Sequence, residues 1–176
     1  MDTDTSPACQ TQRVFLALWP DERVRAQLGH HTPQWTWPAG CAVYAPADWH
    51  VTLHFIGRAP VQQVAHVLAQ ANLPCPPFEL VLDQPQLWPR GLAVLCATEV
   101  PPPLQRLHDQ LGNLLRAADL PVESRPYQPH VTLARHADSA SPPANTPPVV
   151  WTVQNYALAV STGDATERYR VLHRYP

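Results

Sequence analysis

One tetrapeptide occurs twice in this chain, and it constrains the fold more than any other feature. His-Val-Thr-Leu stands at residues 50–53 and again at residues 130–133, 80 residues later. In a β-strand, side chains two apart share a face and lie roughly 6.5 Å apart along the strand. His50 and Thr52 therefore face one way, whereas the apolar residues between them face a core. The repetition predicts an internal duplication in which each half supplies one such strand.

Hydrophobic periodicity predicts an α+β fold of about seven or eight strands and three helices. Strands are expected at residues 13–19, 49–57, 78–82, 92–98, 130–135, 149–160 and 169–175, and helices around residues 24–28, 61–68 and 104–118. Helix and strand do not alternate strictly, so mainly antiparallel sheets are favoured over a doubly wound fold. Residues 1–12 are expected to form a disordered or frayed tail, and residues 13–176 a single domain.

The strand predicted at residues 49–57 carries a second histidine. Alternation places His54 on the face of His50 and Thr52, and Phe55 on the opposite face. His54 would lie about 13 Å along the strand from His50, which is too far to share one small phosphate or a zinc ion. A structural role is therefore expected for His54, and no metal site is expected.

The composition favours a folded protein with a local phosphate site over a broad nucleic-acid binder. Hydrophobic residues make up 45 % of the 176 residues, and the formal net charge is −2. Sequence-independent binding of a duplex needs many basic contacts, so DNA binding is not expected. The four cysteines form no C-x-x-C pair, and no signal sequence or long apolar run is evident. A monomeric cytoplasmic protein is expected.

Two histidines and two threonines around one cavity suit phosphodiester hydrolysis. One neutral imidazole can take a proton from water while the other, protonated, gives one to the departing ribose oxygen; His50 and His130 could each take either part. Thr52 and Thr132 can donate hydrogen bonds to the phosphate oxygens, without a metal or other cofactor. Arg135 is expected to bind the phosphate, although simple alternation places it opposite His130 unless the strand twists or ends there.

These residues resemble the two-histidine phosphoesterase superfamily, and within it the bacterial RNA 2′,3′-cyclic phosphodiesterase family, also called 2′-5′ RNA ligase or LigT-like. The segments that carry the resemblance are RVFLALWP (13–20), WHVTLHFIG (49–57), RPYQPHVTLAR (125–135) and the closing residues 169–176. The resemblance implies two pseudo-symmetric lobes, each a mainly antiparallel sheet with outer helices, and an active-site cleft between them. The chain departs from the family at Asp48, where asparagine is common, and at Arg58, where an acidic residue is common.

The resemblance also implies an activity. It implies opening of terminal RNA 2′,3′-cyclic phosphates to 2′-phosphates, and joining of RNA halves through a 2′-5′ linkage. The partners would be RNA with cyclic phosphate ends, such as tRNA-like fragments, or cyclic nucleotides. The family's catalytic histidines match His50 and His130, its threonines match Thr52 and Thr132, and its phosphate-binding arginine matches Arg135. Tyr127, Phe15 and Trp49 are candidates for contacting a base.

Two other functions stay open. The chain could be a phosphodiesterase for another cyclic or 2′-5′-linked nucleotide, or a non-catalytic module that binds RNA ends or nucleotides. The phosphate position in the products would distinguish the other phosphodiesterase from an RNA 2′,3′-cyclic phosphodiesterase. Turnover of a cyclic phosphate would distinguish either enzyme from a non-catalytic module.

Overall fold

The computed structural model describes residues 11–176, which form ten β-strands and three α-helices. The strands are β1 (Thr11–Leu18), β2 (Ala42–Val43), β3 (Val51–Pro60), β4 (Phe78–Leu82), β5 (Gln84–Trp88), β6 (Leu92–Cys96), β7 (His130–Arg135), β8 (Val149–Val153), β9 (Tyr156–Ser161) and β10 (Tyr169–Tyr175). The helices are α1 (Glu22–His31), α2 (Val61–Ala71) and α3 (Pro102–Ala117), and single turns of 3-10 helix span Thr32–Gln34 and Pro46–Asp48. No helix in this part of the chain is long and apolar enough to cross a membrane.

Eight strands form one antiparallel sheet in the order β10-β9-β1-β3-β7-β6-β5, with β2 pairing to β7. The two motif strands, β3 and β7, lie side by side at its centre and are joined by a single register pair, Val51 with Val131. This seam divides the sheet into two lobes, in which β1 flanks β3 and β6 flanks β7. A separate pair, β4 with β8, completes the fold. The predicted α+β architecture with antiparallel sheets and two lobes is confirmed.

The helices attach to this sheet through apolar stripes. The buried stripe of α3 is Leu104, Leu107, Leu111 and Leu115, which has the spacing expected for the core face of a helix. Burial of one leucine side chain contributes about 2 kcal/mol, so the stripe holds α3 firmly. The start of α1 is fixed by Asp21, whose carboxylate accepts a hydrogen bond from the Val24 amide at 2.9 Å.

A β-bulge interrupts β3 directly after Thr52, the threonine of the first motif. In the ladder with β1, Thr52 and His54 pair with consecutive residues of β1, so Leu53 has no partner of its own. One extra residue reverses side-chain alternation beyond the bulge. His54 is therefore only 3 % exposed, whereas Phe55 is 39 % exposed. The prediction that His54 shares the face of His50, with Phe55 opposite, is wrong for this reason.

A bulge occurs at the equivalent position of β7. Thr132 and Ala134 pair with consecutive residues of β6, and Leu133 lies unpaired between them. Leu133 and Ala134 are both buried, whereas Arg135 is exposed. The bulge thus turns Arg135 onto the face that carries His130 and Thr132, where simple alternation does not place it.

Two predicted boundaries differ from the structure. The strand predicted at residues 149–160 is two strands, β8 and β9, which lie in different sheets because the chain turns at residues 154–155. Thr11 and Gln12, assigned by sequence to the tail, pair with residues 60 and 59 of β3. The rest of that predicted tail, residues 1–10, lies outside the described residues.

Candidate functional site

The seam between the lobes brings the two motifs together. Because β3 and β7 are antiparallel and pair through the motif valines, His50 lies across from Thr132, and Thr52 lies across from His130. All four polar side chains line one cavity of about 570 Å³, which we call the histidine cleft. Directly opposed side chains on one face start about 5 Å apart, so one small anion can contact all four.

Both histidines are held by the same local hydrogen bond. Nδ1 of His50 lies 2.7 Å from the carbonyl oxygen of Asp48, and Nδ1 of His130 lies 2.8 Å from that of Gln128. A carbonyl oxygen only accepts, so Nδ1 carries the proton and donates it in each ring. The Nε2 atom of each neutral imidazole therefore keeps the lone pair that a general base needs.

His50 is enclosed by aromatic rings. Trp19 stacks on it with the ring centroids 5.1 Å apart and an angle of 4° between the planes. Phe15 lies at 5.1 Å, and Tyr169 packs edge-on at 4.9 Å. These contacts fix the orientation of the imidazole and shield it from water.

Both histidines favour their neutral forms. Burial lowers the pKa of His50 from 6.5 to about 4, and the nearby charges of His130 and Arg135 act in the same direction. Burial also lowers the pKa of His130, while the Glu123 carboxylate acts against this shift. An anion held between the rings favours the imidazolium form, so substrate binding should raise both pKa values.

Arg135 reaches the cleft with its guanidinium fixed by a tyrosine. Its Nε donates to the hydroxyl of Tyr44 at 2.5 Å. Tyr44 is in turn attached to β7, because its amide donates to the Leu133 carbonyl at 2.8 Å. Burial, together with the neighbouring Tyr44, raises the pKa of Tyr169 to about 12. Sequence reasoning missed both tyrosines, because only the folded chain brings them beside Arg135.

Two further arginines, also missed from sequence, line the histidine cleft. Arg13 lies on β1, and Arg168 lies in the turn between β9 and β10, with its Nε 3.8 Å from a carboxylate oxygen of Asp48. With Arg135, they make three guanidinium groups against one carboxylate, Asp164, among the lining residues. This excess of positive charge suits an anionic ligand in a chain whose net charge is −2.

The three predicted base contacts have different surroundings. Phe15 lines the histidine cleft, but it is 2 % exposed and packs on His50. Trp49 is 2 % exposed in the main core and lines neither cavity beside the histidines. It has no surface to offer a base, so that prediction is corrected. Tyr127 lines a second cavity and stacks on His108 with 4.0 Å between centroids.

His54 belongs to the packing behind the motif strand. Its Nε2 donates to the His108 carbonyl at 2.7 Å, and its ring stacks on that of His108 at 4.1 Å. The bulge puts His54 and His50 on opposite faces of the strand, so they cannot share a ligand. Within residues 11–176, no three His, Cys, Asp or Glu side chains lie close enough together to hold a metal ion.

Sequence comparison covers both motifs. The sequence model of the 2′-5′ RNA ligase superfamily matches residues 20–165. The chain belongs to the 2′-5′ RNA ligase superfamily. A curated relative of this superfamily member, the RNA 2′,3′-cyclic phosphodiesterase of Escherichia coli K12, is 30 % identical over 136 residues, which are 74 % of this chain and 76 % of the relative. The RNA 2′,3′-cyclic phosphodiesterase of Bacillus subtilis 168 is 32 % identical over 98 residues, which are 51 % of this chain and 52 % of the relative.

Solved structures share the fold of this superfamily member. E. coli LigT in its apo form superposes with a TM-score of 0.80 at 25 % identity, covering 94 % of this chain and 97 % of LigT. LigT complexed with 3′-AMP also gives a TM-score of 0.80 at 25 % identity, covering 94 % of this chain and 98 % of LigT. A Thermus thermophilus protein gives 0.72 at 26 % identity, covering 93 % of this chain and 96 % of its own.

Proposed function

We propose that this superfamily member opens RNA 2′,3′-cyclic phosphate ends to 2′-phosphates, without a metal ion, by an acid–base pair of His50 and His130. The observation that carries the proposal is the seam, where two histidines and two threonines line one cleft. The Nδ1 atom of each histidine is hydrogen-bonded to a backbone carbonyl oxygen. The activity in the names of the E. coli and B. subtilis relatives supports the substrate class. A single chain supplies every residue of this cleft, so we propose that the protein acts as a monomer.

The proposed ring opening uses two proton transfers. One neutral imidazole takes a proton from water through Nε2, and the water oxygen attacks phosphorus. The bond from phosphorus to the 3′-oxygen breaks, and this oxygen takes a proton from the other, protonated imidazole. The product carries a 2′-phosphate and a free 3′-hydroxyl. The 5′-hydroxyl of a second RNA in place of water would give a 2′-5′ linkage through the same transfers.

The remaining polar side chains stabilise the charge that develops on the phosphate. Thr52 and Thr132 stand across the seam from opposite histidines, so their hydroxyls can donate to the non-bridging oxygens. The Nε of Arg135 is used by Tyr44, which leaves its two terminal nitrogens for a bidentate phosphate contact. These donors are already oriented by the fold, so little reorganisation is needed in the transition state.

The test uses an RNA that ends in a 2′,3′-cyclic phosphate, incubated with the protein in excess EDTA, with the phosphate position of the product identified. We expect a 2′-phosphate and undiminished turnover. His50→Ala and His130→Ala should each lower turnover about 10²-fold or more. The control is His66→Ala, because His66 is an exposed residue of α2, and it should change turnover less than about twofold.

Other results of this experiment would contradict parts of the proposed function. Wild-type turnover by either folded histidine variant would reject that residue's role. Activity lost in EDTA and restored by zinc would reject the metal-free route. Binding of the cyclic end without turnover would favour a non-catalytic module. A 3′-phosphate product, or much faster turnover of another cyclic or 2′-5′-linked nucleotide, would favour the alternative phosphodiesterase.

A further inference from the structure

Two arginines lie directly opposite each other at the end of the β1–β3 ladder. Arg13 of β1 and Arg58 of β3 are register partners in this antiparallel pair of strands. Directly opposed residues share a face of the sheet, and their Cβ atoms lie about 4.5–5.5 Å apart. Because Arg13 lines the histidine cleft, Arg58 faces the same side of the sheet as the cleft. We call Arg13 and Arg58 the arginine pair.

A second β-bulge of β3 puts Arg58 on this face. Ile56 has no partner in the ladder, because its neighbours Phe55 and Gly57 pair with consecutive residues of β1. Gly57 has a φ of +82°, a backbone conformation that glycine adopts readily and that is common at bulges. Without the extra residue, alternation from Phe55 would turn Arg58 to the opposite face of the sheet.

The charge of the arginine pair is not balanced within the described chain. Among residues 11–176, no carboxylate forms an ion pair with either guanidinium. By contrast, Nη2 of Arg125 lies 3.0 Å from a carboxylate oxygen of Glu123. Like charges that are directly opposed in a ladder repel each other and destabilise it. An anion held between the two guanidinium groups would relieve this repulsion.

We propose that the arginine pair binds the phosphate on the 5′-oxygen of the terminal nucleotide, one ribose away from the cyclic phosphate. This inference rests on the proposed function, which places the cyclic phosphate between His50 and His130. The ring of Phe15 lies 5.1 Å from that of His50, and Arg13 stands two residues from Phe15, roughly 6.5 Å along β1 on the same face. The arginine pair is therefore displaced from the reacting phosphate along the sheet, as a neighbouring phosphate of the same strand would be.

The surroundings of the arginine pair suit a nucleic-acid phosphate. Cζ of Arg13 lies 5.7 Å from the ring centroid of Phe55, which is exposed and lines the histidine cleft. This contact orients the Arg13 guanidinium. Guanidinium groups bind phosphate oxygens through two parallel hydrogen bonds. Basic side chains that follow the backbone, with an aromatic ring beside them, are typical of sites for single-stranded RNA.

The arginine pair distinguishes this chain from its family, in which an acidic residue is common at the position of Arg58. A carboxylate there would pair with Arg13 and repel a phosphate. With Arg58 in this place, both guanidinium groups are available to one anion. We therefore expect this protein to prefer substrates that carry a phosphate on the 5′-oxygen.

Three substrates test the site. The 5′-oxygen carries no phosphate in 2′,3′-cyclic AMP, a phosphate monoester in the 5′-phosphorylated form, and a phosphodiester in a diadenylate that ends in the same cyclic phosphate. We expect kcat/KM for hydrolysis of the cyclic phosphate to be about tenfold or more higher for the diadenylate than for cyclic AMP. A gain that the 5′-phosphorylated form shares would assign the site to any phosphate at this position. A gain limited to the diadenylate would assign it to the phosphodiester of an RNA chain.

Charge reversal at Arg58 should remove this gain. Arg58→Glu places a carboxylate beside Arg13, and we expect it to lower kcat/KM for the diadenylate about tenfold or more, with less than about a twofold change for cyclic AMP. Arg58→Lys keeps the positive charge and should lose less than about threefold. The matched control is Arg23→Glu, because Arg23 is exposed on α1 and does not line the histidine cleft, and it should change both values less than about twofold.

Salt dependence provides a readout that a merely structural role of Arg58 would not change. Each phosphate contact of a single strand steepens the fall of log binding constant with log salt concentration by about 0.7. The slope for the diadenylate should therefore be steeper than that for cyclic AMP in the wild type, and the two slopes should be equal in Arg58→Glu. Arg58→Gln gives the same comparison, with a loss of about fivefold, if Arg58→Glu does not fold.

Equal kcat/KM for cyclic AMP and the diadenylate in the wild-type protein would overturn the inference and leave the proposed function intact. A preference for the diadenylate that persists in folded Arg58→Glu would also overturn it. A wild-type protein that hydrolyses none of the three substrates would reject the proposed function, and the inference with it.

Discussion

Removal of one hydroxyl group tests how Arg135 is positioned. Tyr44→Phe deletes the oxygen that accepts the hydrogen bond from Arg135 Nε. It keeps the ring, whose centroid lies 5.9 Å from Cζ of Arg135 and 4.9 Å from Cζ of Arg168. Because this ring is buried, the packing around it should be retained. The guanidinium of Arg135 then loses the bond that fixes its rotation.

The size of the effect follows from the kind of bond that is lost. A hydrogen bond to a charged group contributes about 1.5–3 kcal/mol. The exposed position of Arg135 favours the lower end of this range, since water can replace part of the lost interaction. A loss of about 1.5 kcal/mol corresponds to roughly tenfold. We therefore expect kcat/KM for 2′,3′-cyclic AMP to be about tenfold lower in Tyr44→Phe.

Steady-state kinetics on a double-mutant cycle provide the assay. If the hydroxyl acts through Arg135, adding Tyr44→Phe to Arg135→Ala should cause little further loss. Tyr169→Phe is the control, because it removes a different hydroxyl from the lining of the same cleft and leaves the acceptor of Arg135 in place. Its kcat/KM should fall less than about threefold. Wild-type kcat/KM in Tyr44→Phe, or losses that add fully in the double variant, would refute the reasoning.

Three further outcomes are expected. The proposed mechanism needs one protonated and one neutral imidazole, and burial lowers the pKa of both His50 and His130 below 6.5. We therefore expect kcat/KM to fall as the pH rises through 6.5, and an optimum near about pH 8 would contradict the proposed acid–base pair. Gly112→Ala in α3 brings a methyl group 3.2 Å from Cε1 of His54, a ring that its hydrogen bond to the His108 carbonyl holds in place. The overpacking cost of about 1–3 kcal/mol should therefore exceed the helix-propensity gain of about 1 kcal/mol and lower the free energy of unfolding in urea. Gly29→Ala in α1, where the methyl group meets nothing within 4 Å, should raise the free energy of unfolding by about 1 kcal/mol. A lower free energy of unfolding in Gly29→Ala would show that the difference between the two glycine variants is not steric.

The elements with strong periodicity were predictable, and the weakly patterned ones were not. The apolar stripe of α3 and the strand at residues 130–135 match the structure. The strand β5 has the sequence QPQLW, with two glutamines and a proline, and it forms because the edge of the sheet lies open beside β6. Proline is tolerated at such an edge. Predicting β5 requires knowing that it pairs with β6, and the sequence of residues 84–88 alone does not show this.

The candidate site divides in the same way. The repeated motif pointed to His50 and His130, and the single seam pair places both in one cleft. The residues that surround the two histidines come from distant parts of the chain. Tyr44 comes from the loop before β3, and Arg168 and Tyr169 come from the β9–β10 turn and the start of β10. No local spacing relates these positions to the motifs, so the sequence alone could not assemble them.

The sequence by itself determined the fold class of this protein and its candidate site residues: an α+β chain with two histidine–threonine pairs, each carried by a strand whose alternate side chains share a face. The tertiary structure alone decided which side chains beyond each pair enter the cleft. The bulges at Leu53 and Leu133 bring Phe55 and Arg135 into it and bury His54. The physical reason is that a bulge depends on the hydrogen-bond register with a neighbouring strand. That register is set only when β1 and β6 are in place.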